Sequence, residues 1–262
     1  MTKNIRLFLI DWFGQYVNCY RDAEGILPAA LELKYRHSLR VAENARLIAR
    51  GIGLVSPEIN LAEGCGLLHD IGRFAQYKCY GSFSDAVTVD HGRAGRQTLE
   101  DEGLPGMIGA ADWISMACAV EYHNRKTAEI PVDHPDDAER LLRLIRDADK
   151  LDIMDLVLES VARDGFRDLP DMLPHIHVSR ELTSAVIEEV NKTKTVATGS
   201  LSTVADFLVM LASWFYDLNY PPARSLAVSR KIIERLELEL PDTRAVRELL
   251  NDIKKNYAAS TV

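Results

Sequence analysis

A chain of 262 residues, 47% apolar and 27% charged, is long enough to bury a real core as one large domain or one domain with an appendage. Its formal net charge of −8 excludes a nucleic-acid-binding face as its main business, because phosphate backbones demand clustered Lys and Arg; a local basic pocket for a small anion stays compatible. Gly and Pro are sparse and Ala, Leu, Arg, Glu and Ile fill long stretches, which favours helices.

Residues 2–20 are predicted to form an amphipathic helix ending before the turn-prone Arg21-Asp22-Ala23-Glu24-Gly25. Lys3 and Arg6 precede only a short apolar run that Asp11 interrupts, so neither a secretory leader nor a membrane span is predicted, and the expected location is cytoplasmic. From about 29 to 52 the spacing His37, Val41, Ala45, Ile48, Ile52 follows the helical period, closed by Gly51 and Gly53. Ser56-Pro57 predicts the next start, with Ser as N-cap and Pro first, in a helix running into His69-Asp70 and stopping near Gly72. Between Asp70 and His91 the sequence reads as irregular, with Gly72, Gly81, Phe74, Tyr77, Tyr80 and Phe83. It is read either as a functional lid or as a loop packed down by its own aromatics.

Further helices are predicted over 91–102, 106–123, 134–163 (one helix or two), 179–192, 201–217, 222–236 and 241–257. Asp133-His134-Pro135-Asp136-Asp137 supplies acids for a helix start. Thr193–Ser200 is a linker or a long loop. Cys19, Cys65, Cys79 and Cys118 are scattered without a CxxC pair and read as reduced thiols.

The chemistry lies in an order of residues: His37, then His69-Asp70, then His91, then His123, then Asp149. His37 lies one turn before Val41, His123 follows Trp113, Met116 and Val120 at helical spacing, and Asp149 continues the row Leu142, Ile145. Acids and imidazoles aimed at a core need compensation, and a bound cation supplies it. Asp147, two residues before Asp149, falls on a row with Arg140 and Arg143 that reads as solvated.

These residues sit in motifs that resemble the HD-domain superfamily of metal-dependent phosphohydrolases: Tyr35-Arg36-His37-Ser38-Leu39-Arg40-Val41-Ala42, Leu67-Leu68-His69-Asp70-Ile71-Gly72-Arg73 and Ala148-Asp149-Lys150-Leu151-Asp152. The resemblance covers roughly residues 30–165. It implies an all-α fold, a single HD-domain-like helical bundle with additional C-terminal helices. The segments would be an N-terminal helix (1–28), the metal-binding core (29–165) and C-terminal helices packed on that core (166–262).

By the same resemblance His37, His69, Asp70 and Asp149 hold a first metal, and Asp152 orients a ligand. His91 and His123 complete a second site bridged by Asp70, against the plainer readings of a helix-start residue and a core histidine. The implied cofactor is a divalent transition metal (Fe, Mn, Zn, Co or Ni), two ions in the favoured reading, since a mixed His and carboxylate set suits these better than Mg. The implied reaction is hydrolysis of a small phosphate ester or nucleotide by metal-bound hydroxide, with Arg73 and Lys150 as the candidate cations for the phosphate. Arg93, Arg96 and Arg125 flank the second histidine pair.

After His123 the Gly-Tyr-Pro extension of the cyclic-di-GMP phosphodiesterase branch is missing, and Ala-Asp-Lys-Leu-Asp departs from the Ala-Asp-Arg-Leu-His-Asn of the stringent-response hydrolases. Two other readings stay open: a di-iron oxygenase on the same fold and a non-catalytic metal-stabilised regulatory module. The C-terminal third, with Trp214, Tyr216, Asp217 and Tyr220-Pro221-Pro222, is read as walling the pocket or mediating a homodimer. Nucleic acid and membrane are not expected partners.

Overall fold

The computed structural model of the chain describes residues 5–125, 136–166 and 176–258. Residues 2–4 of the predicted first helix, Asp133-His134-Pro135, and the part of the post-His123 segment from Lys126 on lie outside the described residues. The chain divides into two compact units, Met1–Asp149 and Lys150–Val262.

The first unit holds α1 (Ile5–Asn18), α2 (Ala29–Gly51), α3 (Ser56–Leu68), α4 (Gly72–Tyr80), α5 (His91–Asp101), α6 (Ala110–Tyr122) and the start of α7 (Asp136–Asp164). α1 buries Leu9, Phe13 and Val17, one residue per turn, and packs on α3. α2 lies along α3, where Gly66 makes a close approach possible. A Cβ at Gly66 would sit 3.0 Å from both Ala42 Cα and Val41 O. That approach brings the His37 face of α2 to the end of α3.

Several boundaries differ from the sequence expectations. α3 begins at Ser56 with Val55, not Ser56, before it. The carboxylate of Glu58, in the first turn, accepts the Val55 N–H at 3.1 Å and satisfies one open helix-end donor. The segment after Asp70, expected to be irregular, forms a helix of nine residues, Gly72–Tyr80. It ends at Gly81 in the left-handed conformation, φ 64°, with its N–H on Tyr77 O at 2.8 Å. Only 81–90 is irregular. A helix this short, rich in aromatics, is below the window in which periodicity speaks.

Asp147 is the clearest correction: it is fully buried, not solvated. Arg140 and Arg143 of its row are exposed, but from Leu144 to Asp152 α7 is buried at every residue except the half-buried Asp149, so the row runs from the surface into the interior. The expected 134–163 stretch is a single helix as far as described.

In the second unit, every residue of α9 (Val204–Ser213) is buried. Its start is a capping box in which Asp206 N–H donates to Thr203 Oγ1 at 3.1 Å and Thr203 N–H to Asp206 Oδ2 at 3.2 Å. α8 (Ser184–Thr193), α11 (Ile232–Glu239) and α12 (Arg244–Ile253) complete its packing with α10 (Pro221–Ser229). The helix expected over 222–236 is split at Lys231, φ 54°, and the guanidinium groups of Arg230 and Arg235 both bind the Asp155 carboxylate, at 2.8 and 2.6 Å. Thr193–Ser200 is a loop inside this unit, between α8 and α9. No helix of the described residues is long and apolar enough to cross a membrane.

Candidate metal centre

All six predicted metal-binding residues lie in the first unit, and their donor atoms converge. α2 supplies His37, and Asn44 on the same helix fixes the approach of α7 by donating to Ala148 O at 3.0 Å, beside Asp149. His69 follows the last residue of α3, and His123 the last of α6. Each of these two folds its Nδ1–H back onto the carbonyl three residues earlier, Gly66 O and Val120 O, at 2.8 Å. A helix C-terminus carries partial negative charge, so both positions favour a cation. His91 is the first residue of α5, whose N-cap is Asp90: its carboxylate accepts the Gly92 and Arg93 N–H groups at 3.0 and 3.2 Å. Arg146 anchors the end of α6, donating to His123 O at 3.0 Å and to Arg125 O.

The geometry divides at Asp70. On its Oδ2 side, His37 Nε2 lies 3.6 Å away, His69 Nε2 3.7 Å away, and Asp149 Oδ1 3.1 and 3.6 Å from those two nitrogens. On its Oδ1 side, His91 Nε2 lies at 3.3 Å and His123 Nε2 at 3.5 Å, with the two nitrogens 3.1 Å apart. Ligand bonds of about 2.0–2.2 Å place neighbouring donors roughly 3.0–3.6 Å apart, so both sets have the spacing of a donor shell.

The protonation pattern fits as well. Carbonyl oxygens only accept, so His69 and His123 each donate a proton from Nδ1, which turns each Nε2 toward the Asp70 carboxylate. His91 Nδ1 pairs with Asp85 Oδ2 at 2.5 Å, leaving its Nε2 facing that of His123. Converging lone pairs and carboxylate oxygens repel unless a cation lies among them. Asp149 Oδ1 is buried without a hydrogen-bond partner, an oxygen that a cation held by these residues would satisfy. The triads His37, His69, Asp149 and His69, Asp70, His123 each bring three donors within 4.8 Å.

Electrostatics keep these groups in ligand form. Burial opposes ionisation of Asp70, but Lys34, His69, His123 and Arg73 outweigh it and hold its carboxyl well below the ordinary range. Burial likewise opposes ionisation of Asp149, and His37 and His69 outweigh it. Burial and the Arg73 charge push His91 down to about 4.

A pH dependence follows for the metal-free protein. The unfolded His91 imidazole takes a proton near the ordinary 6.5 and the folded one near 4. Between those values the unfolded chain binds more protons, so stability falls as pH falls, and the loss levels off below about 4. Thermal unfolding of chelated protein from pH 7 to 4 should show a falling Tm, with a shallower slope in His91→Phe. Equal slopes would contradict the assignment.

The predicted phosphate-gripping residues part ways. Arg73 is at the centre: its Nη1 donates to Gln76 Oε1, Phe83 O and Asp85 Oδ1 at 2.8, 2.6 and 2.8 Å. Its Nε is buried without a hydrogen-bond partner, 3.6 Å from Asp70 Oδ1. Lys150, the first residue of the second unit, has its ammonium on Asp217 Oδ2 at 2.5 Å. Arg96 pairs with Glu121 and Glu100, Arg125 with Asp90, and Arg93 is exposed.

Two residues at the centre escaped the sequence reading. Lys34 donates to Asp70 Oδ2 at 2.7 Å; it precedes His37 by three residues, a spacing that places both on one helix face and could have flagged it. Asp85, in the 81–90 segment, has no such signal. Of the aromatics, Phe74 is core, packed among Phe13, Tyr16 and Tyr20, whereas Phe83 stacks near Tyr77 with Lys34 Nζ 5.7 Å and Arg73 Cζ 5.8 Å from its ring centre. All four cysteines are free, Cys65 and Cys118 buried.

Residues 35–154 match the family model of the HD domain, which marks a superfamily of metal-dependent phosphohydrolases whose members bind divalent metals. No curated protein and no solved structure matches the chain.

Proposed function

We propose that this chain, a member of the HD-domain superfamily through residues 35–154, is a two-metal phosphoric ester hydrolase acting on a small phosphate ester or nucleotide. The observation that carries this reading is the division of Asp70: one carboxylate oxygen belongs to the His37, His69, Asp149 set and the other to the His91, His123 set. The first ion would be held by His37, His69, Asp70 and Asp149, the second by Asp70, His91 and His123. When bound, such ions make a water nucleophilic near neutral pH and draw charge off phosphoryl oxygens. The mixed nitrogen and oxygen donors favour Fe, Mn, Zn, Co or Ni.

The chain's own residues do the rest. Arg73 is clamped through Nη1, which leaves its buried Nε to donate to a phosphoryl oxygen brought beside Asp70. Lys34 spends one N–H on Asp70 and has two more for the same anion. Attack of a water oxygen on phosphorus breaks the ester P–O bond, and the leaving oxygen departs with a proton.

The test is a panel of phosphomonoesters, phosphodiesters and nucleotides incubated with Mn- or Fe-loaded protein, reading phosphate or alcohol release beside dissolved oxygen. Chelator-sensitive ester cleavage with no oxygen uptake is expected. Oxygen consumption coupled to C–C or C–P cleavage would move the chain to the oxygenase reading. Bound metal with no turnover on any ester would favour a regulatory module.

A further inference from the structure

Asp85 lies in the irregular 81–90 segment, outside every motif, yet its carboxylate gathers four donors from three places in the unit. Oδ2 takes the Nδ1–H of His91 at 2.5 Å and an N–H of Asn124 at 3.3 Å. Oδ1 takes Arg73 Nη1 at 2.8 Å and Gln76 Nε2 at 3.0 Å. Arg73 and Gln76 come from α4, His91 opens α5, and Asn124 follows α6. His69 and His123 bond their own helix carbonyls through Nδ1, whereas His91, at a helix start, has no such carbonyl to use and bonds a carboxylate.

Resting on the two-ion reading above, we propose that Asp85 is the positioning residue of the second ion: it sets the ring of His91 so that Nε2 faces Asp70 Oδ1 and His123. A carboxylate on the far nitrogen of an imidazole ligand fixes its tautomer and rotation and raises its basicity; losing one costs roughly 10–100-fold in metal affinity. The competing explanation is that Asp85 merely fastens the loop. Thr88 separates the two, because it fastens the same loop, accepting from Gln76 Nε2 at 2.7 Å and donating to Ser84 O at 2.8 Å, and bonds neither Asp85 nor His91.

The experiment is a competitive chelator titration of Mn on the full chain for wild type, Asp85→Ala, Thr88→Val and His91→Ala, with circular dichroism as the folding check. The expected result is two equivalents in wild type and in Thr88→Val. In Asp85→Ala the second equivalent should weaken by about 10–100-fold while the first is unchanged, approaching His91→Ala. Should Asp85→Ala not fold, the isosteric Asp85→Asn serves with the same expectations. Wild-type affinity at both sites in the Asp85 variant overturns the assignment, as does an equal loss in Thr88→Val, which would make the loop the cause. A wild type that binds a single ion instead overturns the two-ion reading itself, and this proposal with it.

Discussion

Asp70→Ala is expected to release both ions and abolish turnover, whereas His37→Ala and His91→Ala each release one. The asymmetry follows from the two oxygens of one carboxylate. Oδ2 lies 3.6 and 3.7 Å from His37 and His69, and Oδ1 lies 3.3 and 3.5 Å from His91 and His123, so both donor sets lose a member together. Loss of the ions forfeits several kcal/mol of transition-state charge stabilisation, on the order of 10³-fold or more in rate. The substitution also strands the Lys34 ammonium, bound to Asp70 at 2.7 Å and only 14% exposed. A partly buried charge left unpaired destabilises the fold as well. Asp70→Asn, close in shape, keeps the packing while removing the bridging charge, and should likewise lose both ions. Metal analysis of the variants checks this; an ion retained at full affinity in Asp70→Ala would show that Asp70 is not shared.

Gly72→Ala is the second large effect, and it comes from backbone packing rather than from ligands. A methyl at Gly72 would sit 2.3 Å from His91 O, 2.6 Å from Gly95 N and 3.0 Å from Gly95 Cα. These are backbone atoms, which cannot rotate aside, so α4 and α5 must separate. Overpacking of this kind costs about 1–3 kcal/mol or more. For a chain of this size that corresponds to a fall in Tm of roughly 2–6 °C. The same movement carries His91 away from Asp70, and a displacement of about 1 Å can cost on the order of 10²-fold in rate. Gly14, in α1, meets no atom within 4 Å of an added Cβ, and Gly14→Ala should instead stabilise by about 0.5–1 kcal/mol. Calorimetry on the pair checks both signs; an unchanged Tm in Gly72→Ala would refute the packing argument.

The centre was legible in the sequence to the extent that its residues sit on helices or at their ends. His37 shares the apolar stripe of α2, His69-Asp70 closes α3, and His123 closes α6, so periodicity and motif point the same way. Lys34 is flagged only by its three-residue spacing to His37, a weak signal because a lone Lys on a helix is ordinarily solvated. Asp85 was not readable: its partners His91, Arg73 and Asn124 are set by tertiary packing of a ten-residue irregular stretch. Asp147 is not legible because its row starts exposed at Arg140 and Arg143 and enters the buried stretch of α7 only from Leu144 on. Arg146 on that helix is itself buried, its guanidinium taken up by the carbonyls of His123 and Arg125. α4 and the Lys231 break are short-range events in chain geometry, a nine-residue helix and one left-handed residue, and leave no hydrophobic period behind.

The most direct measurement is the metal content of the full chain purified without added metal, repeated after reloading with Mn or Fe. Two transition-metal equivalents per chain, both absent from Asp70→Ala, is the expected result. A chain that carries no metal and takes up none on reloading would contradict the metal centre, and the hydrolase reading built on it would fall.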